Sequence, residues 1–178
     1  IMATNLEFIK SLTPDGSSSS LSITNVFSAK YTNYLVTYQT VTDSGSPKDT
    51  DLRLINSSDA IVTNSNYDYT YQYMSTGSGY TSQRNSGQDK WTGILGATDF
   101  PPEGNTGKIQ VVNPFAASWT YITYQVMQSH NGTNASHKGI GVLKEATSIT
   151  GLNIFLSSTN FTAGSNIAVY GVKTWVVV

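Results

Sequence analysis

Hydrophobic residues in this chain recur at every second position and not at helical spacing. The clearest case is the run in which Tyr67, Tyr69, Tyr71 and Tyr73 alternate with polar residues. Such alternation is typical of half-buried β-strands, and no 11-residue window carries a convincing 3.6-residue period. The sequence therefore predicts an all-β protein. The other alternating segments are centred on Leu21 and Ile23, Tyr34 to Tyr38, Leu52 and Leu54, Ile109 and Val111, Trp119 to Val126, Ile140 and Val142, Leu152 to Leu156, and Ile167 and Val169.

Turn-forming residues separate these segments. Clusters rich in Gly, Ser, Asn and Pro occupy 13–20, 43–51, 75–88, 100–107, 131–137 and 157–165. Short strands separated by turns at regular intervals are typical of sandwiches and jelly rolls. The sequence has no repeat of 20–50 residues that would indicate a propeller or solenoid. We expect residues 1–178 to form a single domain, an antiparallel, jelly-roll-like β-sandwich of about 8–10 strands.

The composition excludes several classes of protein. The chain has no cysteine, which excludes a disulfide scaffold, a zinc finger and thiol chemistry. Its net charge is −1, so the chain lacks the excess of basic residues that is typical of a nucleic-acid binder. No apolar run approaches the length of a membrane helix, so no membrane insertion is expected. No signal peptide is visible at the N-terminus, and we expect synthesis in the cytoplasm.

Candidate metal ligands are few. His130 and His137 are separated by six loop residues without a supporting cysteine or carboxylate, so two ordinary loop histidines are favoured over a zinc site. Asp43, Asp49 and Asp51 share one loop and offer oxygen ligands for calcium. That loop lacks the EF-hand spacing and its closing glutamate, so a solvated loop is favoured, and neither metal nor cofactor is expected.

Catalytic signals are equally sparse. No G-x-S-x-G nucleophile elbow and no phosphate-binding glycine loop occurs. A glycosidase with paired carboxylates stays formally open, and it would have to use Glu7, Glu103 or Glu145. Each of these lies near a predicted strand end or loop. The sequence therefore favours a protein that is not an enzyme.

The many aromatic residues of the chain can be interpreted in two ways. Aromatic faces stack on sugars, and the tyrosine comb formed by Tyr67, Tyr69, Tyr71 and Tyr73 has many amide and hydroxyl neighbours in the sequence. The alternative is that the tyrosine comb packs one sheet against the other and its hydroxyls reach the rim. The sequence favours a core or subunit interface over a ligand platform.

Three groups of motifs resemble small β-rich structural proteins of tailed bacteriophages, especially marine ones. The first is ITGLNIFL at 149–156 with NFTAGSNIAVYGVK at 160–173, in which Gly171 is expected to form a bulge. The second is NPF at 113–115 followed by the strand WTYITYQ at 119–125, and the third is YLVTY at 34–38 followed by DLRLIN at 51–56. The resemblance covers about three quarters of the chain as a pattern and implies a virion protein without enzymatic activity, commonly trimeric.

Within that resemblance, two locations are open. The sequence has no heptads or shaft repeat of a fibre, so a capsid decoration, or cement, protein on the particle exterior is preferred. Its partners would be further copies of itself, in a trimer, and the major capsid protein or other virion proteins. The alternative is a tail or tail-fibre component that contacts the host surface or its glycans. The candidate interface comprises the tyrosine comb together with Trp119, Tyr121, Trp175, Val176, Val177 and Val178.

Overall fold

The computed structural model describes residues 5–42, 47–98, 103–130 and 132–173, and these contain twelve strands. Within them no helix is present, and so none is long and apolar enough to cross a bilayer. The strands are β1 (Leu6–Leu12), β2 (Ser20–Ile23), β3 (Asn33–Thr40), β4 (Lys48–Asn56), β5 (Tyr67–Ser75), β6 (Gly79–Gln88), β7 (Ala97–Thr98), β8 (Gly104–Val112), β9 (Ser118–His130), β10 (Thr133–Thr147), β11 (Ile149–Leu156) and β12 (Asn166–Val172).

The strands form two antiparallel sheets. The larger has eight strands in the order β1-β12-β3-β8-β9-β10-β5-β6, and the smaller has four in the order β2-β11-β4-β7. The prediction of an antiparallel β-sandwich is confirmed, whereas the jelly-roll topology stays a prediction. The strand count exceeds the expected 8–10 because β1, β6 and the two-residue β7 carry no strong apolar alternation.

The predicted alternation matches the burial of the central strands. On β3, Tyr34, Val36 and Tyr38 are buried, and on β9 the buried residues are Ile122, Tyr124 and Val126. Their sequence neighbours lie on the opposite face of the same sheet. The largest fully buried side chain is Trp91, which lies outside the twelve strands and forms an isolated β-bridge with Leu52.

Four predicted turn clusters contain stretches of strand. The cluster at 75–88 holds β6, and those at 43–51, 100–107 and 131–137 hold the starts of β4, β8 and β10. Strand β6 lies at the edge of the large sheet, where both of its faces carry mostly exposed residues. A strand without a buried face has no hydrophobic alternation to reveal it, which explains why β6 was missed.

Glycines on the inner face of the large sheet lie under aromatic rings. A Cβ at Gly139 would clash with the Thr70 carbonyl and lie 2.6 Å from the Tyr124 hydroxyl. A Cβ at Gly107 would lie 2.6 Å from the Tyr38 hydroxyl. Gly171 is not the expected bulge: it pairs regularly with Tyr34, and it is glycine because Tyr31 packs directly on it. The bulge lies instead on β1, between Phe8 and Lys10.

We predict that Gly139→Ala lowers stability by about 2–3 kcal/mol, because the new methyl group overpacks a backbone carbonyl and a buried ring. The melting temperature should fall by about 5–10 °C in a chain of this size. Gly77→Ala is the matched control, since its Cβ would meet Thr133 at an ordinary 3.5 Å. Equal melting temperatures for the two variants in thermal unfolding would contradict the packing argument.

Candidate functional site

The tyrosine comb faces inward, between the two sheets. Tyr67 and Tyr69 are buried, whereas Tyr71 and Tyr73 are half-buried towards the rim. The rings of Tyr69 and Tyr71 are parallel within 3°, and Tyr71 stacks on His137 with ring centroids 5.2 Å apart. Because neighbouring rings occupy these faces, the comb is part of the packed core and offers little stacking surface to a sugar.

The hydroxyl of Tyr67 anchors the small sheet. It accepts a hydrogen bond from the N–H of Leu54 on β4 at 3.1 Å and donates one to the carbonyl of Val62 at 3.0 Å. Burial raises the pKa of Tyr67 above its ordinary value, so the phenol stays protonated and keeps its donor. Burial of the Tyr124 ring likewise raises the pKa of its own hydroxyl.

A cleft of about 620 Å³ opens where the large sheet extends beyond the small one. Tyr69, Tyr71 and Tyr73 line one wall, and Asp49 and Thr92 lie opposite. The cleft is therefore bordered by three tyrosines of the comb.

The candidate metal ligands within the described residues do not gather into a group of three, and Asp49 and Asp51 lie on strand β4 and not in a loop. His137 is not a loop residue: it is buried on β10, with its ring against Tyr71 and Tyr73. The carboxylate of Asp51 accepts hydrogen bonds from Lys90 Nζ at 2.7 Å and from the N–H of Gly93 at 2.9 Å. His130 is the last residue of β9, and Asp43 lies outside the described residues. Across the described ranges, no three histidines or carboxylates form a group able to hold a metal.

The three candidate catalytic glutamates occupy different parts of the molecule. Glu7 is on edge strand β1, where the ammonium of Lys30 lowers the pKa of its carboxyl to about 2. Glu103 precedes β8 and accepts a hydrogen bond from the N–H of Gly132. Glu145 lies near the far end of β10, where Asn64 donates to it at 2.9 Å. The structure therefore does not build a carboxylate pair from them.

The outer face of the large sheet, which points away from the small sheet, is concave. Leu6 on β1 and Ser82 on β6, at opposite edges of the sheet, line one depression of about 880 Å³. Depressions of about 660 Å³ around Tyr121 and about 1040 Å³ around Met127 continue it in both directions along β9. We call this continuous feature the trough. Strands β8, β9 and β10 form its floor.

One end of the outer face is apolar. The strand register aligns Leu6 with Val172, and Tyr121 with Val112 and Val142. We define the apolar end by five exposed side chains: Leu6 at 40% exposure, Phe8 at 58%, Trp119 at 47%, Tyr121 at 50% and Ile140 at 57%. Leu6 and Phe8 lie on edge strand β1, four strand positions from Trp119 and Tyr121 on β9, and Leu6 and Ile140 line one depression. Exposed apolar residues of this kind mark interaction surfaces.

Two of the predicted interface residues, Trp119 and Tyr121, thus lie at an exposed surface, whereas the tyrosine comb faces the opposite side of the sheet. Trp175, Val176, Val177 and Val178 lie outside the described residues. Strand β12, which precedes them in the sequence, ends at Val172 beside Leu6 of the apolar end.

The middle of the trough floor is polar and cationic. Gln125 on β9 pairs with Lys108 on β8 and with Lys138 on β10, so the three side chains lie side by side. All three are exposed. The sequence interpretation missed these residues, although alternation does place each of them opposite a buried neighbour. Only the register between strands brings them together.

We predict that Tyr67→Phe lowers the free energy of unfolding by about 1–3 kcal/mol, because it leaves the buried N–H of Leu54 and carbonyl of Val62 without their shared partner. Tyr73→Phe, at the half-buried rim of the same comb, should change it by less than about 0.5 kcal/mol. Urea titration of both variants measures the difference. A larger loss for Tyr73→Phe would refute the assigned role of Tyr67.

Comparisons with protein-family models, with curated proteins and with solved structures find no match to this chain. The functional proposal therefore rests on the geometry of its own residues and on the motif resemblance to phage structural proteins.

Proposed function

We propose that this chain is a non-enzymatic structural protein of a bacteriophage virion, a capsid decoration or cement protein that binds and stabilises the assembled shell. The observation that carries the proposal is the apolar end, where five large apolar side chains are exposed together on a folded domain. A surface of this kind favours attachment to a larger assembly.

Charge restricts how copies of the chain can meet. Lys108 and Lys138 lie in the centre of the outer face, so two copies stacked face to face there would oppose like charges. Contact through the apolar end avoids this repulsion. The motif resemblance implies a trimer, and such a trimer would bind the shell through its apolar ends, so that several copies attach to one symmetric site.

The second candidate is a tail or tail-fibre component that contacts host-surface glycans. The trough favours it, because a concave floor lined with amides, hydroxyls and lysines is suited to a polyhydroxylated ligand. The two candidates place their partners on different parts of the outer face. Tyr121 and Gln125 are four residues apart on β9, which is about 14 Å along an extended strand.

We expect particles that lack this chain to rupture at a lower temperature or a lower external salt concentration than complete particles, since a protein that binds only the assembled shell stabilises it by mass action. Adding the purified chain should restore them. The double variant Trp119→Ser with Tyr121→Ser should fail to restore them, with a loss of about 2 kcal/mol per aromatic anchor, or about thirty-fold each in Kd.

Met127→Ser is the matched control, because Met127 is 61% exposed on the same face but lies at the other end of the trough. It should restore the particles as well as the unchanged chain does. If undecorated particles prove equally robust while adsorption to host cells collapses, the decoration proposal is wrong and the receptor-binding candidate replaces it.

A further inference from the structure

We propose that the floor of the trough is a binding site for an acidic oligosaccharide, in which Lys108 and Lys138 pair with the anionic groups and glutamine amides bond the sugar hydroxyls. The inference deepens the receptor-binding candidate by naming its ligand class. It does not depend on attachment to a shell, because Lys108, Gln125 and Lys138 are not among the side chains that define the apolar end, although Leu6 and Ile140 of that end line the same depression.

The charge distribution indicates an anionic ligand. Five cationic side chains elsewhere in the molecule are held by carboxylates: those of Lys30, Arg53, Lys90, Lys144 and Lys173. Within the described residues, Lys108 and Lys138 have no such partner, and no carboxylate lines the central depression. A chain of net charge −1 thus keeps two uncompensated cations in one concavity.

The nearest acidic group on this face does not neutralise them. Asp68 lies near the apolar end, where its carboxylate pairs with Lys144 Nζ at 2.8 Å and accepts a hydrogen bond from the N–H of Gly87 at 2.8 Å. Arg84 is exposed on β6 and lines the same depression as Asp68, where it adds a third positive charge to this face. The field over the trough floor is therefore positive.

The spacing of the polar groups fits a chain of sugar rings. Lys108 and Lys138 flank Gln125 on the two neighbouring strands, so their Cα atoms lie about 10 Å apart. Gln72 on β5 pairs with Lys138, Gln110 lies two residues beyond Lys108 on β8, and both line the same depression of about 880 Å³. Amides donate and accept hydrogen bonds at once, as sugar hydroxyls require.

A peptide cannot bind to the trough floor as an additional β-strand. Strands β8, β9 and β10 are each paired on both sides, so their backbone groups are already used within the sheet. Nucleic acid is also a poor fit, since two floor lysines and one arginine offer few cations for a closely spaced phosphate backbone. An acidic saccharide needs only scattered charges among hydroxyl partners.

Titration calorimetry of the purified chain tests the proposal, with hexagalacturonate as the anionic probe and maltohexaose as the neutral one. We expect hexagalacturonate to bind, and to bind about ten-fold more weakly when salt rises from 20 to 200 mM, because salt screens exposed charges. Maltohexaose should bind at least about ten-fold more weakly, since it lacks the anions that the lysines pair with.

The double variant Lys108→Gln with Lys138→Gln should lose the preference for hexagalacturonate, whereas Lys108→Arg with Lys138→Arg should keep it. Lys10→Gln is the matched control, because Lys10 is an exposed strand lysine outside the trough. Gln125→Ala should weaken binding without changing its salt dependence. Equal melting temperatures would show that all variants are folded.

The inference would be overturned by no binding of hexagalacturonate at 20 mM salt, by an equal loss in Lys10→Gln, or by tighter binding of poly-L-glutamate that the trough variants abolish. The poly-L-glutamate result would identify an acidic protein surface as the partner. Preferred binding of maltohexaose by the unchanged chain would refute the acidic ligand while leaving the receptor-binding candidate intact.

Discussion

The packing of aromatic rings over glycines holds the two sheets at their separation. The hydroxyls of Tyr38 and Tyr124 lie over Gly107 and Gly139 on neighbouring strands, and Trp91 lies over Gly141 in the same way. A side chain at any of these glycines would lift the ring away from the large sheet and force the small sheet outward. Tyr38 lies flat enough for its hydroxyl to donate to the carbonyl of Leu95 at 3.1 Å. The interior thus tolerates large aromatic residues without voids because their partners have no side chain.

The same pairs of tyrosine and glycine determine which residues lie on the outer face, because successive residues of a strand point to opposite sides of the sheet. Gly107, Tyr124 and Gly139 face inward, and their sequence neighbours Lys108, Gln125 and Lys138 therefore face outward. The inner contacts hold the register of β8, β9 and β10, since a slip of one residue would put a side chain under a ring. The cationic floor of the trough is in this sense a consequence of the packing of the core.

The unequal size of the two sheets separates the functional surfaces. Four strands cover part of the inner face of the eight-stranded sheet, which leaves a cleft beside the tyrosine comb, and the concave outer face stays open. On that outer face, an apolar end and a polar floor lie on the same strands, and they have different chemistry. An apolar end favours a stable contact in an assembly, whereas a floor of amides and lysines favours a hydrated, charged ligand. The two surfaces meet in the central depression, which Leu6 and Ile140 line together with Lys108 and Lys138.

The sequence by itself determined the strands that bury one face, because alternation reflects burial directly: Tyr34, Val36 and Tyr38 were predicted to share one face of a strand, and they are buried on β3. For the tyrosine comb the sequence favoured a core or a subunit interface without choosing between them, and the structure buries Tyr67 and Tyr69. The sequence did not reveal β6, since an exposed edge strand rich in Ser, Thr, Gln and Arg has no apolar face and therefore shows no hydrophobic alternation. The exposed positions of Trp119 and Tyr121 could be inferred from their alternation with Ile122. The meeting of Lys108, Gln125 and Lys138 was decided by tertiary structure alone, because residues up to 30 positions apart become neighbours only through the register of three strands. Alternation assigns a residue to a face of its strand, but it carries no information about which strands pair or how they are aligned.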